Sequence, residues 1–229
     1  PIILDNGKEN RKVDPSKFIN WLMPRINEEG MYYLLLDEVQ NLGAFESVLN
    51  GFLRKNNVDV YVTGSNSKFL SKDILTEFEG RGDEVHVLPL SFSEYYAFKQ
   101  GDKGDAYDDY SVYGGLPAAA LMTTEEQKTN YLISQMKNVY LRDIVNRYSV
   151  HDENILGEVI DVIASGISTL TNPRKIANTM NTVHGATTCD STIDKYIEYA
   201  EEAFLLKRVK RYNVKGRKYI GTPYKIYFE

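Results

Sequence analysis

The chain has 229 residues, a formal net charge of −5 and 42% hydrophobic residues. This length allows one large or two modest domains with buried cores, and no apolar run reaches the ~20 residues that a membrane-spanning helix needs. A single cysteine, Cys189, excludes an internal disulfide, and three histidines far apart in the sequence argue against a zinc site. No secretory leader is visible, so we expect a cytoplasmic protein without a membrane partner.

The first 90 residues alternate short apolar runs with helical periodicity, which is the pattern of βαβ units and a parallel sheet. The predicted strands cover residues 2–4, 32–36, 58–63 and 84–88. The predicted helices cover residues 15–23, 42–53 and 68–79, and Asp14 caps the first of them. The uninterrupted apolar run over 32–36 indicates a central strand that is covered on both faces.

After Pro89 the alternation stops and the chain is predicted to be mainly helical. The predicted helices cover residues 91–100, 126–147, 153–166, 172–181 and 188–202, and two strands follow over 204–212 and 217–228. Three helices followed by two strands around Lys215-Gly216 predict a winged helix-turn-helix.

Two carboxylates, Asp37 and Glu38, directly follow the apolar strand Tyr32 to Leu36. The end of a central strand places them at the carboxyl edge of a parallel sheet, where sites of α/β proteins form. In a Walker B strand of this kind, Asp37 would hold Mg²⁺ and Glu38 would polarise the water that attacks the γ-phosphate of ATP. The alternative is a buried strand that ends in a solvated turn.

The next strand leads into a polar tip that includes Ser65 and Asn66. In P-loop ATPases this strand lies beside the Walker B strand, so either residue could contact both the γ-phosphate and the attacking water. The alternative is that they cap the following helix. Arg81 stands in a glycine turn after that helix, where AAA-type ATPases carry the arginine finger that acts on a neighbouring subunit; otherwise it is a solvated surface arginine.

These pieces together resemble one family of prokaryotic AAA-type ATPases. The motifs that carry the resemblance are Leu34-Leu-Leu-Asp-Glu-Val-Gln40, Val62-Thr-Gly-Ser-Asn-Ser67, Gly80-Arg81, Leu88-Pro-Leu-Ser-Phe-Ser-Glu94, Tyr113-Gly-Gly-Leu-Pro117, Tyr140-Leu-Arg-Asp-Ile-Val145 and Lys215-Gly-Arg-Lys-Tyr219. The resemblance implies ATP and Mg²⁺ as ligands, and members have an ATPase domain, a helical and winged-helix region and a nuclease-like domain. It also draws attention to Arg142 and Asp143, either as nucleotide sensors or as members of an ion pair.

The fold class implied is α/β: a partial P-loop NTPase (AAA-like) parallel sheet, followed by an α-helical region and a winged helix-turn-helix. The corresponding domains are 1–100 (AAA-type core), 101–150 (helical lid or linker) and 151–229 (winged-helix-like domain). One departure is decisive, because the phosphate-binding motif G-x-x-x-x-G-K-[ST] is absent from the sequence. We therefore expect an internal fragment that binds ATP poorly by itself.

Basic residues are concentrated near the C-terminal end. Residues 203–228 contain eight basic residues and no acidic ones, which leaves −13 for the rest of the chain (−5 − 8). The preceding predicted helix, 188–202, has a net charge of −4, the wrong sign for the major groove of DNA. Lys215, Arg217 and Lys218 could instead contact the DNA backbone non-specifically. A structural or interdomain role is the alternative.

Three functions remain open from the sequence. The first is an ATP-hydrolysing AAA-type enzyme, which would form a homo-oligomer if Arg81 acts in trans. The second is a nucleic-acid-binding winged-helix module on an α/β scaffold. The third is a catalytically silent interaction scaffold, which the missing phosphate-binding loop would permit.

Overall fold

The computed structural model describes residues 13–26, 29–64, 82–184, 188–212 and 222–229. The chain divides between Val85 and His86 into two compact units. The division into domains 1–100, 101–150 and 151–229 stays a prediction. The predicted strand over 2–4, the predicted helix over 68–79 and the basic turn around Lys215 lie outside the described residues.

The described part of the first unit contains two α-helices and two strands in alternating order. They are α1 (Pro15–Leu22), β1 (Tyr32–Leu36), α2 (Phe45–Leu53) and β2 (Val58–Val62). The start of α1 is fixed locally, because the Asp14 carboxylate accepts hydrogen bonds from the backbone N–H groups of Ser16 (2.8 Å) and Lys17 (3.2 Å). Pro15 occupies the first helical position, where a missing N–H costs nothing.

Strands β1 and β2 form a parallel pair, with a register that runs from Tyr32 opposite Val58 to Leu36 opposite Val62. One face of this pair packs on α1 and α2. The buried residues of the resulting core are Phe18, Leu22, Val39, Leu42, Phe45, Val48, Leu49, Phe52 and Val58. The prediction that β1 is covered on both faces is wrong, because Tyr33 and Leu35 are 63% and 74% exposed.

The predicted strand over 84–88 is also wrong. Residues 82–90 form no strand, and Val85 and Val87 are 78% and 85% exposed. Alternating apolar residues favour an extended backbone, but a strand also requires a hydrogen-bonded neighbour. Residues 84–88 make no ladder with any described strand.

The second unit is mainly helical. Its elements are α3 (Phe92–Lys99), α4 (Lys103–Tyr113), α5 (Pro117–Leu121), α6 (Glu125–Ser134), α7 (Arg142–Tyr148), α8 (Glu153–Ser165), α9 (Pro173–Thr179), α10 (Asp190–Glu202), β3 (Leu206–Val209) and β4 (Lys225–Phe228). A reciprocal cap starts α3: the backbone N–H of Ser91 donates to the Glu94 carboxylate (2.8 Å), and the backbone N–H of Glu94 donates to the Ser91 hydroxyl (3.4 Å).

The helix predicted over 126–147 is not uniform. A π-helical segment, Gln135–Leu141, separates α6 from α7. A shorter π-helical turn, Met180–His184, likewise extends α9. The helix predicted over 153–166 is confirmed as α8, and that over 188–202 is confirmed as α10.

Strands β3 and β4 pair in antiparallel orientation, from Leu206 opposite Phe228 to Val209 opposite Lys225. An isolated bridge joins Thr171, just before α9, to Tyr224. Both strands are shorter than predicted. The buried residues of this unit's main core are Ile144, Leu156, Val159, Ile160, Ile163, Ile176, Ala177, Met180, Ile193, Tyr196, Ile197, Ala200, Ala203, Leu205, Leu206 and Ile226.

The loop between α4 and α5 approaches the segment before α3 very closely. The backbone N–H of Leu90 donates to the carbonyl of Gly115 (2.8 Å), and the Tyr110 hydroxyl donates to the carbonyl of Leu90 (2.9 Å). A Cβ atom on Gly115 would lie 2.0 Å from the Leu90 carbonyl oxygen. This contact gives the motif Tyr113-Gly-Gly-Leu-Pro117 a structural reason for its second glycine.

Candidate functional site

The carboxyl ends of β1 and β2 meet at one edge of the first unit. The last ladder pair is Leu36 opposite Val62, and the backbone N–H of Thr63 donates to the carbonyl of Leu36 (2.9 Å). The chain then leaves β1 through Asp37 and Glu38, while Thr63 follows β2 at the same level. Parallel pairing thus brings residues 25 or 26 positions apart together at the tip.

Thr63 links the two carboxylate residues. Its hydroxyl donates to Oδ1 of Asp37 and accepts from the backbone N–H of Glu38 (3.0 Å). Its carbonyl accepts from the backbone N–H of Val39 (3.1 Å). One side chain therefore uses both its donor and an acceptor lone pair to fix the turn after β1.

Glu38 lies in a left-handed backbone conformation, with φ 50° and ψ 55°. A non-glycine residue seldom adopts this region, and such strain is found disproportionately where a turn serves a function. The turn directs the Glu38 carboxylate toward Gln40, whose side-chain amide donates to Oε2. The Glu38 side chain is therefore oriented by a neighbour two residues away.

Of the predicted site residues, the structure brings Asp37 and Glu38 together at this edge. Ser65, Asn66 and Arg81 lie outside the described residues, as do Lys215, Arg217 and Lys218. Thr63 was missed by sequence reasoning, although it stands inside the motif Val62-Thr-Gly-Ser-Asn-Ser67. The available signal was its position as the last residue of the strand predicted over 58–63, at the edge where Asp37 and Glu38 were expected.

The oxygen-rich tip offers few protein ligands. Within the described ranges, no group of three or more His, Cys, Asp or Glu side chains could hold a metal ion. A carboxylate such as that of Asp37 is nevertheless a hard oxygen ligand, and Mg²⁺ is usually held by one or two carboxylates together with phosphate oxygens and water. The donor set at the tip therefore fits Mg²⁺ bound with a nucleotide.

In the second unit, Asp143 pairs with Arg147 one helical turn away, with 2.7 Å between Oδ2 and Nη2. Burial raises the pKa of Asp143 despite this partner. The ion pair is one of the two alternatives that the sequence left open for the Arg142-Asp143 motif, and it occupies Asp143. Arg142 itself is exposed at the start of α7.

A second polar cluster lies between α3, α4 and α6, with Tyr95 and Lys128 buried and Asp109 partly exposed. The Lys128 ammonium, in a side chain that is 8% exposed, donates to Oδ1 of Asp109, and the Tyr95 hydroxyl donates to Oδ2. Burial acts to raise the pKa of Asp109, but the hydrogen bonds from Lys128 and Tyr95 outweigh it and the pKa is lowered. The ammonium also lies 4.7 Å from the centre of the Tyr113 ring. The cluster joins three helices, and both carboxylate oxygens of Asp109 accept a hydrogen bond within it.

A small cavity of about 150 Å³ lies between the end of α8, α9 and β4. Its lining includes Ile163, Thr171, Lys175 and Ile226. Pockets that bind drug-sized ligands measure roughly 300–1,000 Å³. The cavity is thus too small for a nucleotide. No helix in the described ranges is long and apolar enough to cross a membrane.

Two family models match this chain. Residues 2–96 match the family model described as an AAA domain, which belongs to the AAA-type P-loop fold. Residues 104–229 match the family model described as a domain of unknown function (DUF8612).

Two uncharacterized proteins are similar over most of the chain. One, from Haemophilus influenzae, is 34% identical over 219 residues, which is 93% of this chain and 54% of that protein. The other, from Methanocaldococcus jannaschii, is 25% identical over 196 residues, which is 80% of this chain and 44% of that protein. The chain therefore spans about half the length of these relatives.

Proposed function

Because this chain belongs to the family described as a domain of unknown function (DUF8612) and matches an AAA domain ahead of it, we propose that the whole protein is an AAA-type ATPase. ATP hydrolysis would change the state of the α/β unit, and the helical region and residues 151–229 would respond. The observation that carries the proposal is the cluster of Asp37, Glu38 and Thr63 at the carboxyl edge of the parallel strands.

In this proposal Asp37 holds Mg²⁺, directly or through a water molecule. The hydrogen bond from Thr63 fixes the rotation of its carboxylate and leaves Oδ2 for the metal or its water. Bound with the nucleotide, Mg²⁺ supplies charge neutralisation at the β- and γ-phosphates. The phosphate-binding loop would be contributed by a part of the protein beyond this sequence.

Glu38 acts as the general base that polarises the attacking water. Gln40 orients its carboxylate, and the left-handed turn separates it from Asp37, so the two carboxylates serve different partners. Thr63 couples them, since its hydroxyl contacts the carboxylate of one and the backbone of the other. Ser65 or Asn66 would extend this polar tip toward the γ-phosphate, and Arg81 would stabilise charge at the site of a neighbouring subunit.

The test of this proposal uses the full-length protein and steady-state ATP turnover. Replacing a general base removes roughly 10²–10⁴-fold of rate, so Glu38→Gln should abolish most turnover while ATP binding persists. Asp59→Asn is the matched control, since Asp59 is a carboxylate near the opposite end of β2 whose partner is the Tyr61 hydroxyl (2.9 Å). Full-length protein that binds no ATP by calorimetry, or Glu38→Gln protein with normal turnover, would refute the proposal.

The role of Arg81 has its own test. If it acts in trans, mixed oligomers of Arg81→Ala and Glu38→Gln subunits should recover turnover, because an intact base and an intact arginine meet at some interfaces. Lack of recovery, with mixed oligomers verified by mass, removes the trans-acting role and leaves the Asp37–Glu38 site standing.

We also propose that residues 151–229 form a winged-helix unit. Three features support it: α8, α9 and α10 precede the strands in the required order, β3 and β4 are antiparallel, and Thr171 bridges to Tyr224. In this proposal the unit changes conformation or position in response to ATP hydrolysis and does not itself take part in the reaction. Backbone assignments of residues 205–228 by NMR would test it, since a winged helix requires cross-strand contacts on both sides of the basic turn.

A further inference from the structure

The pair β3–β4 has two chemically different faces. The inner face carries Leu206, Arg208 and Ile226, and it packs on the core of the second unit. The outer face carries Lys207 opposite Tyr227 and Val209 opposite Lys225, and all four are exposed. We call these four residues the outer hairpin face.

Cations dominate the outer hairpin face and its continuation. Lys207 and Lys225 are diagonal neighbours, a relation that places side chains roughly 7–8 Å apart. Lys210 and Arg211 follow β3 and are exposed. Lys207 has one acidic neighbour among the described residues: its Nζ lies 3.8 Å from Oε1 of Glu229.

No acidic residue occurs between 203 and 228, so the positive charge of these basic residues cannot be neutralised from within the same segment. The described cations Lys210, Arg211 and Lys225 form no ion pair with another described residue at a nitrogen–oxygen distance of 4.0 Å or less. Lys210, Arg211 and Lys225 are exposed, and together with Lys207 they make this part of the described chain attractive to a polyanion.

The acidic helix α10 does not cancel this charge, because a residue on the inner face neutralises its nearest carboxylates. The Arg208 guanidinium lies 2.9 Å from Oδ1 of Asp194 and also binds the carboxylate of Glu201, which in addition accepts from the Arg208 backbone N–H (2.7 Å). Burial acts to lower the pKa of Arg208, but Glu201 outweighs it and the pKa is raised. The inner face of the hairpin thus neutralises Asp194 and Glu201 through Arg208, while the outer face exposes Lys207 and Lys225.

We propose that the outer hairpin face, extended by Lys210 and Arg211, binds the sugar–phosphate backbone of duplex DNA without reading its bases. Duplex DNA has one negative charge per about 1.7 Å of axis and therefore a layer of condensed counterions. Lysine and arginine side chains that neutralise its phosphates release these counterions, which favours binding. Single strands bind mainly by stacking on aromatic rings, and the outer hairpin face itself contains one aromatic residue, Tyr227. Tyr212, which follows Arg211, is 86% exposed, and for this reason the experiment below compares duplex with single-stranded DNA. The negative charge of α10 keeps that helix out of the major groove, so backbone contact is the available mode.

The experiment measures binding of the full chain to two fluorescent duplexes of unrelated sequence by anisotropy, between 0.05 and about 0.3 M salt. We expect equal affinity for both sequences and a steep fall with salt. Each phosphate contact contributes about −0.9 to the slope of log affinity against log salt concentration. The double variant Lys207→Gln/Lys225→Gln loses two contacts, so its slope should be shallower by roughly 2. If the two proteins bind equally at about 1 M salt, the variant should bind up to about 60-fold more weakly at 0.1 M salt.

Lys195→Gln is the matched control, because Lys195 is an exposed lysine on α10 in the same unit. It should bind as the parent does, and the unfolding temperature of both variants should match the parent. Three outcomes would overturn the proposal: no salt-dependent binding, an equal loss in Lys195→Gln, or tighter binding of single strands than of duplex. Lysine-dependent self-association without DNA binding would instead assign the face to a second, acidic copy. Glu38→Gln protein should bind DNA normally, which separates this result from the ATPase proposal.

Discussion

Gly115→Ala should destabilise the second unit strongly. The new Cβ would lie 2.0 Å from the carbonyl oxygen of Leu90 and 3.0 Å from its carbonyl carbon and its backbone nitrogen. Those atoms are backbone and cannot rotate away, so the two segments must separate by about 1.4 Å to reach the 3.4 Å of ordinary contact. Separation also stretches the 2.8 Å hydrogen bond from Leu90 to Gly115.

The expected cost follows from these two effects. Overpacking costs typically 1–3 kcal/mol, and a lost backbone hydrogen bond adds about 0.5–1.5 kcal/mol. The free energy of unfolding should fall by roughly 2–4 kcal/mol. At about 2–4 °C per kcal/mol for a unit of this size, the midpoint of thermal unfolding should drop by roughly 4–16 °C.

Gly157→Ala is the matched control for that measurement. Gly157 lies inside α8, and a Cβ there would meet nothing within 4 Å. Alanine is about 1 kcal/mol more favourable than glycine in a helix interior, so this variant should unfold at a slightly higher temperature. Both variants are compared with the parent by calorimetry. A shift of 1–2 °C corresponds to roughly half a kcal/mol. If Gly115→Ala shifts the unfolding temperature by no more than this, the two segments do not approach as closely as described.

Three further predictions concern other parts of the chain. Thr63→Val keeps the side-chain shape but removes the hydroxyl that bonds both Asp37 and the backbone of Glu38, so turnover of the full-length protein should fall roughly 10-fold or more, and unchanged turnover would contradict the linking role. Hydrogen bonds from Ser191 and then Thr192 lower the pKa of the exposed Cys189 thiol to about 7, so the rate of iodoacetamide labelling should be half-maximal near pH 7 and Ser191→Ala should move that midpoint upward; a midpoint already at the ordinary thiol value would be inconsistent. Ile197→Ala removes a fully buried side chain and should cost about 2–5 kcal/mol in urea unfolding, whereas a loss below 1 kcal/mol would mean that the site is not in the core.

Features of the first unit that depend on local chemistry could be predicted from the sequence. Asp14 and Pro15 specify the start of α1 through contacts within three residues. The parallel pairing of β1 with β2 follows from the intervening helix, because a crossover of this kind connects neighbouring parallel strands. The same reasoning placed Asp37 and Glu38 at the carboxyl edge.

The contribution of Thr63 could not be predicted in the same way, because it depends on the register between two strands. A shift of one residue would have turned the Thr63 side chain to the other face of the sheet. The strand expected over 84–88 failed for a related reason, since its apolar pattern says nothing about whether a neighbouring strand is available. Both cases depend on details of strand pairing that local patterns do not contain: the register in the first case and the presence of a neighbouring strand in the second.

The π-helical segment also has a physical reason that becomes visible only with the core. The apolar positions Leu132, Met136, Tyr140 and Ile144 are spaced by four residues. At 3.6 residues per turn, each such step drifts by about 40° around the helix. A π turn closes hydrogen bonds to the fifth residue and winds less per residue, so it cancels the drift and lets Met136 and Tyr140 pack on the same core as the fully buried Ile144.

The ion pair of Lys128 and Asp109 constrains how this family can diverge. The Lys128 side chain is buried, but that of Asp109 is 26% exposed. Losing one member should therefore cost less than the roughly 3–5 kcal/mol of a fully buried pair, whereas replacing both with apolar residues of similar volume is often neutral. The two positions are coupled, because a single replacement at either position passes through a less stable protein. Relatives should carry both charges or neither, and the Tyr95 hydroxyl should be dispensable only where both are gone.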